Sequence, residues 1–311
     1  MKTAIVGAGA AGLACAMRLR AAGEDVVLFD KSRGVGGRMA TRRVDGLSFD
    51  HGAQFFTARG DAFRETVSGL VAAGACASWG SDERYVGVPG MTAVPRALAE
   101  GFEIRTEHTV SGLRRDAAGW TLSTAEGAEA GGFDRVVLAL PSPQIVPLLA
   151  ASGFTLPGIE SAVYAPCIAL LLAFERPLPG IATEAKYDAG PIAWIARNAT
   201  KPGRDAARET VVVHASADWS RAHLDFEPDA SKPILLAAFR DATGFADAPT
   251  YAAVHRWRYA LVETPAGARA FFDSELGLGA CGDWCIGGRV EAAFDSGLAL
   301  ADMITEKGAA A

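Results

Sequence analysis

Thr3–Asp30 reads TAIVGAGAAGLACAMRLRAAGEDVVLFD. The apolar run Ala4-Ile5-Val6 ends in Gly7-Ala8-Gly9-Ala10-Ala11-Gly12. An Ala-rich helical segment follows and stops at Gly23, and a second apolar run, Val26 to Phe29, delivers Asp30. Strand, glycine turn, helix, strand and acid follow in the order and spacing of a dinucleotide fold. Gly7 permits the tight turn, Gly9 lets the backbone approach a pyrophosphate, and Gly12 lets the helix pack on the sheet. The free amides and positive dipole end of that helix then face phosphates. Asp30 is placed to accept hydrogen bonds from the adenosine ribose.

The next residues extend this reading. Lys31-Ser32-Arg33-Gly34-Val35-Gly36-Gly37-Arg38 brings a second glycine cluster and a fixed guanidinium to the same phosphate region. A guanidinium fork suits phosphate oxygens better than an ammonium does. The GxGxxG turn, the acid about 20 residues on and Gly36-Gly37-Arg38 together resemble the signature of FAD-binding flavoproteins of the amine-oxidase type. That resemblance implies a discontinuous FAD domain with a substrate domain inserted between its pieces.

Bulk properties agree with an enzyme of this size. The chain has 311 residues, half of them hydrophobic and 21% charged, which is a globular composition with room for two domains. A net charge of -6 supplies no phosphate affinity of the kind a nucleic-acid binder needs, so no nucleic-acid partner is expected. Five scattered cysteines suit a reducing compartment better than a disulfide framework. Arg18, Arg20 and the glycine turn interrupt the apolar start, so neither a leader peptide nor a membrane helix is expected. A cytoplasmic protein with no membrane partner follows as an expectation, while the oligomeric state stays open.

Periodicity organises the remainder. A helix is expected over Ala62 to Ala73, short strands from Trp79 to Val88, and a helix from after Gly90 to near Gly101. Glu103 to Thr124 alternates as an antiparallel meander, and Phe133 to Pro141 reads as a buried strand of the parallel sheet. Apolar strands are expected at Ile168 to Phe174, Ile192 to Ile195, Val211 to His214 and Ile234 to Phe239. The closing segment from Gly277 runs through Gly282-Asp283-Trp284 into a helix ending near Lys307. The expected fold is α/β: a Rossmann-type FAD-binding domain, amine-oxidase or hydroxybenzoate-hydroxylase-like, with an inserted mostly β substrate domain. Residues 1–55, 90–141 and 270–311 would form the first, and 56–89 with 142–269 the second.

Candidate cofactor residues are Gly7, Gly9, Ala11, Gly12, Asp30, Lys31, Arg38, Gln54, Phe55, Met91, Val110, Asp283 and Val290. Asp283 can accept from ribityl hydroxyls, and the amides around Val290 can stabilise negative charge at a flavin edge. The resemblance implies that Phe49 to Arg59 runs beside the isoalloxazine and that Val110 packs near the adenine; on its chemistry alone Val110 reads as ordinary core. Trp194, His214, His255, Trp257 and Trp284 are pocket candidates, each of which also reads as core or rim. Arg197, with Lys201, Arg204 and Arg208, falls in one basic segment that could meet a pyrophosphate or be a solvated loop. Cys281 and Cys285 lack redox CxxC spacing, and the isolated histidines make no metal site.

Seven separated strings sharpen the resemblance: FDKSRGVGGRMATRR, DHGAQFFTARGDAF, VGVPGM, WIARNATKPGRD, HASADWSRAHLD, HRWRYA and CGDWCIGGRVEAAFDSG. Together they resemble bacterial renalase-like FAD oxidoreductases over essentially the whole chain. The resemblance implies noncovalent FAD, hydride removal from 2- or 6-dihydro isomers of NAD(P), and transfer of the electrons to O2 to give H2O2. A flavin amine oxidase or other C–H oxidase, and a flavin-binding sensor without turnover, are the alternatives on the same scaffold.

Overall fold

A computed structural model describes residues 1–308 of the protein. Three elements set the frame: β1 (Lys2–Val6), α1 (Ala10–Ala21) and β2 (Asp25–Phe29). β1 pairs in parallel with β2 on one side and with Arg135–Leu138 on the other. The six-stranded sheet runs Phe271–Asp273, Leu278–Ala280, Arg135–Leu138, β1, β2, Glu103–Arg105. Only the edge strand Phe271–Asp273 is antiparallel. Helix α1 buries Leu13, Cys15, Ala16 and Leu19 together because it lies between this sheet and the closing helix Val290–Gly308. That packing needs small residues: a Cβ on Gly297 would come within 2.1 Å of the Ala11 carbonyl oxygen.

A second, antiparallel sheet takes its five strands in the order Glu184–Lys186, Ile192–Arg197, Glu209–Ala215, Val163–Phe174, Tyr251–Thr264. Alternation divides its two faces. Ile168, Leu170, Leu172, Phe174, Val211 and Val213 face the helix Pro228–Thr243, burying Leu235 and Phe239. Ala169, Leu171, Ala173 and Val212 face the other way, against Leu47 and Phe49 of the hairpin Thr41–Val44 and Leu47–Asp50.

Three segments depart from the periodicity reading. Ile234 to Phe239 is helical, not a strand: it sits inside Pro228–Thr243, where Leu235 and Phe239 lie one helical turn apart on the buried side and Gly244 closes the helix in the left-handed region. Glu103–Arg105 leaves the expected meander and joins the parallel sheet beside β2. The meander itself is Val110–Asp116, Gly119–Thr124 and Glu129–Phe133. Tyr251–Thr264 is a 14-residue strand that periodicity does not announce, because it is half-buried along most of its length. Among the described residues, no helix is long and apolar enough to cross a membrane.

Candidate active site

A cleft of about 1860 Å³ lies between the two sheets. At one end, Gly7 turns the chain out of β1 at φ +107°; a Cβ there would sit 2.5 Å from the Ala139 carbonyl oxygen. Gly12 packs as tightly, with its would-be Cβ 2.0 Å from the Gly7 carbonyl oxygen. Gly9 differs, since a Cβ there would meet nothing within 4 Å. No side chain caps α1 at Gly9, which leaves the first-turn amides open to the cleft. The Asp30 carboxylate accepts from the Ala8 amide at 2.9 Å and the Ser32 amide at 2.8 Å, and these bonds fix its orientation. Ala11, Lys31 and Val110 line the same end.

The middle of the cleft joins the two chain ends. Arg38 donates to both carboxylate oxygens of Asp283, at 2.8 and 2.7 Å, and to the Ala260 carbonyl at 3.2 Å. Burial opposes the Arg38 charge, but Asp283 outweighs it and the pKa rises. Glu291, one residue after Val290, accepts from the Arg59 and Gly60 amides at 2.8 and 2.6 Å. Trp284 lines the cleft but is fully buried, stacked on Phe271 with its indole N–H on the Leu140 carbonyl at 3.0 Å.

The far wall is a row across the five-stranded sheet. Strand register places Trp194 beside His214, His214 beside Ala169, and Ala169 beside His255. The His51 ring meets His255 edge-on at 4.5 Å. The His51 carbonyl accepts from Trp257 Nε1 at 2.9 Å and lies 3.2 Å from His214 Nε2. A carbonyl can only accept, so His214 carries its proton on Nε2. Burial, ahead of all other causes, pushes His51, His214 and His255 down to about 4, which keeps all three imidazoles uncharged near neutral pH. Phe55 tilts over Trp194 with ring centres 5.7 Å apart. Gln54 donates to the Asp50 carbonyl at the strand end and to the Gly52 carbonyl at 3.1 Å, and accepts from Lys201 Nζ at 3.1 Å.

The family follows from comparison with known proteins. Residues 5–70 match the model of an NAD(P)-binding Rossmann-like domain, and residues 72–305 match that of flavin containing amine oxidoreductases. The chain belongs to the flavin containing amine oxidoreductases. Among solved structures, a proposed protoporphyrinogen oxidase from Exiguobacterium sp. 255-15 is similar with TM-score 0.74 and 15% identity, covering 98% of this chain and 99% of that one. Putrescine oxidase bound to putrescine is similar with TM-score 0.69 and 15% identity over the same shares of the chains. At these identities the likeness establishes the fold. A 4,4'-diapophytoene desaturase of Staphylococcus aureus is 48% identical over 52 residues, a match that spans 17% of this chain and only 10% of the desaturase.

FAD is the cofactor of this flavin-containing protein, and the cleft fits it. The open side of Gly9, the uncapped α1 amides and the oriented Asp30 make a cradle for an adenosine diphosphate. Asp283, Arg38 and Val290 lie farther along the same cleft, where the ribityl and flavin portions would extend.

Three candidate residues, Arg197, Met91 and Gly12, lie off the cleft lining. Arg197 is turned to Glu209 at 2.7 Å and to the Ile181 carbonyl at 2.9 Å. Its basic neighbours are also engaged: Lys201 and Arg204 are buried on Asp50, and Arg208 reaches the Asp45 carbonyl. Buried acids draw Arg197, Lys201 and Arg204 inward, while Arg208 stays exposed away from the cleft, so the segment offers the cleft no phosphate fork. Met91 is fully buried, and its amide donates to Asp50. Gly12, for its part, acts through packing. Two cleft residues outside the sequence candidates are His51 and Arg42. The string DHGAQFF carried a signal for His51; nothing local distinguished Arg42 from other surface arginines.

Proposed function

We propose that this protein is an FAD-dependent, renalase-like oxidase that takes a hydride from 2- or 6-dihydro isomers of NAD(P) and passes the electrons to O2. The balance is dihydro-NAD(P), O2 and a proton giving NAD(P)+ and H2O2. The observation that carries this reading is the charge of the cleft: ten basic and three acidic residues line it, in a chain of net charge -6. Each of the three acids is engaged, Asp30 and Glu291 by backbone amides and Asp283 by Arg38. Arg38, Arg256 and Arg258 are held by protein acceptors, and one cofactor pyrophosphate does not account for the seven cations that remain. A second phosphate-bearing molecule does.

Bound FAD supplies hydride acceptance and onward transfer to O2. The chain's part is to hold and orient the donor. A dihydropyridine needs no strong base, and the uncharged imidazoles beside Trp194 and Trp257 offer flat surfaces for its ring. In this reading residues 1–55, 90–141 and 270–311, of which 309–311 lie outside the described residues, hold the cofactor, and 56–89 with 142–269 supply the donor wall, joined there by His51 and Phe55.

Amine oxidation is the second reading, favoured by the family itself. A protonated amine would find no unengaged carboxylate among the described lining residues. Anaerobic stopped-flow absorbance separates the two. Flavin bleaching by 2- or 6-dihydro-NAD and not by putrescine is expected; bleaching by amines alone would transfer the assignment to amine oxidation.

A further inference from the structure

Strand Thr41–Val44 runs antiparallel to Leu47–Asp50 and sets Arg42 opposite Phe49. Opposed residues share a face of a hairpin. Phe49 packs with Ala169, Leu171 and Trp257 of the five-stranded sheet, so Arg42 lies on the side of the hairpin turned to that sheet. Its charge reaches the imidazole wall: it is one of the influences that depress both His51 and His255.

Arg42 is exposed, lines the cleft, and has no acceptor of its own among the described residues. Three other cleft arginines are engaged, Arg258 among them on Asp225. Arg38 is clamped on Asp283, and Arg256 is turned to the Leu224 and Phe226 carbonyls at 3.0 and 2.9 Å. The open α1 amides belong to a separate place, on the six-stranded sheet beside Asp30. A free guanidinium next to an uncharged aromatic wall combines two kinds of recognition, a planar ring on the wall and an anion on the fork.

We propose that Arg42 binds the phosphate of the dinucleotide substrate while its nicotinamide ring lies against the His51, His255 and Trp257 wall. This rests on the dihydronicotinamide reading above. It makes Arg42 a specificity-determining residue that separates dinucleotides from nucleosides carrying the same ring. Arg42 lies beyond the cofactor cradle, so its loss acts on the substrate and not on FAD retention.

The test compares kcat/KM for 6-dihydro-NAD with that for dihydronicotinamide riboside, which lacks phosphate, in wild type, Arg42→Ala and Arg42→Lys. The preference for the dinucleotide should fall about tenfold in Arg42→Ala, mainly through KM, and recover in part in Arg42→Lys. Raising salt should weaken dinucleotide use in wild type more than in Arg42→Ala. An unchanged preference overturns the assignment of Arg42 and leaves the oxidase reading standing. If wild type oxidises neither compound, ADP-ribose titration followed by flavin absorbance reads the same site. Weaker ADP-ribose binding in Arg42→Ala then keeps the phosphate site and discards the oxidase reading; equal binding, or none in wild type, overturns both.

Discussion

Arg38 and Asp283 stand 245 positions apart in the chain and meet through two hydrogen bonds of 2.8 and 2.7 Å. The pair ties the glycine turn after β2 to the closing segment, and the Ala260 carbonyl ties both to the strand Tyr251–Thr264. Three separate stretches therefore converge on one guanidinium. Its geometry fixes the cleft floor before any ligand arrives.

Removing the acid leaves that guanidinium partly buried and uncompensated. Asp283→Ala should cost about 2 kcal/mol, discounted because Arg38 retains some solvent. For a chain of this size that is a fall in Tm of about 5 °C. The flavin-to-protein ratio after purification should drop as well. Unchanged Tm and flavin content would show that the pair is incidental to the site.

Two glycines should fail in opposite ways. A Cβ on Gly52 would lie 2.0 Å from the Arg38 carbonyl oxygen, so Gly52→Ala must push two backbones apart. Gly9→Ala meets no neighbour within 4 Å, and its φ of -85° suits alanine. Gly52→Ala should lose folded protein, whereas Gly9→Ala should give a folded apoprotein of near-native stability that retains little FAD. Circular dichroism melts beside flavin absorbance distinguish the two. Equal FAD retention in Gly9→Ala and wild type would contradict the cradle.

Acid should weaken the fold in two stages. His51, His214 and His255 sit at about 4 when folded and near 6.5 when unfolded, so the unfolded chain takes up protons first and stability falls between about 6.5 and 4. Asp50 is held near 2 by Lys201 and Arg204 against the opposing effect of its own burial, so its contribution is present above about 4 and lost as pH falls towards 2. Asp50→Asn strands two buried cations and should cost about 3–5 kcal/mol, with Lys201→Met the milder change. Tm measured from pH 8 to 2 checks both stages. A flat profile between 6.5 and 4 would mean that the wall imidazoles are charged in the folded protein.

Much of this protein was legible in its sequence. The glycine turn, Asp30 and the second glycine cluster specify the cofactor half because each needs a backbone freedom or a charge at a fixed spacing from the last. Local chemistry carries that information. The helices at Asp61–Ala72 and Val290–Gly308 follow equally from local pattern. Ile234 to Phe239 escapes a local reading because a short apolar run has no period of its own.

The donor wall is another matter. Trp194, His214, Ala169 and His255 become neighbours only through strand register, although they come from four separate strands of the chain. The charge of Arg197, Lys201 and Arg204 was plain in the sequence, yet buried Glu209 and Asp50 decide that it is spent inside. Arg42 is the converse, an ordinary surface arginine by sequence that pairing with Phe49 carries to the cleft. The residues' charges and the cofactor turn are local properties that the sequence determines; which charges remain free for a ligand depends on burial and long-range pairing, and those exist only in the folded chain.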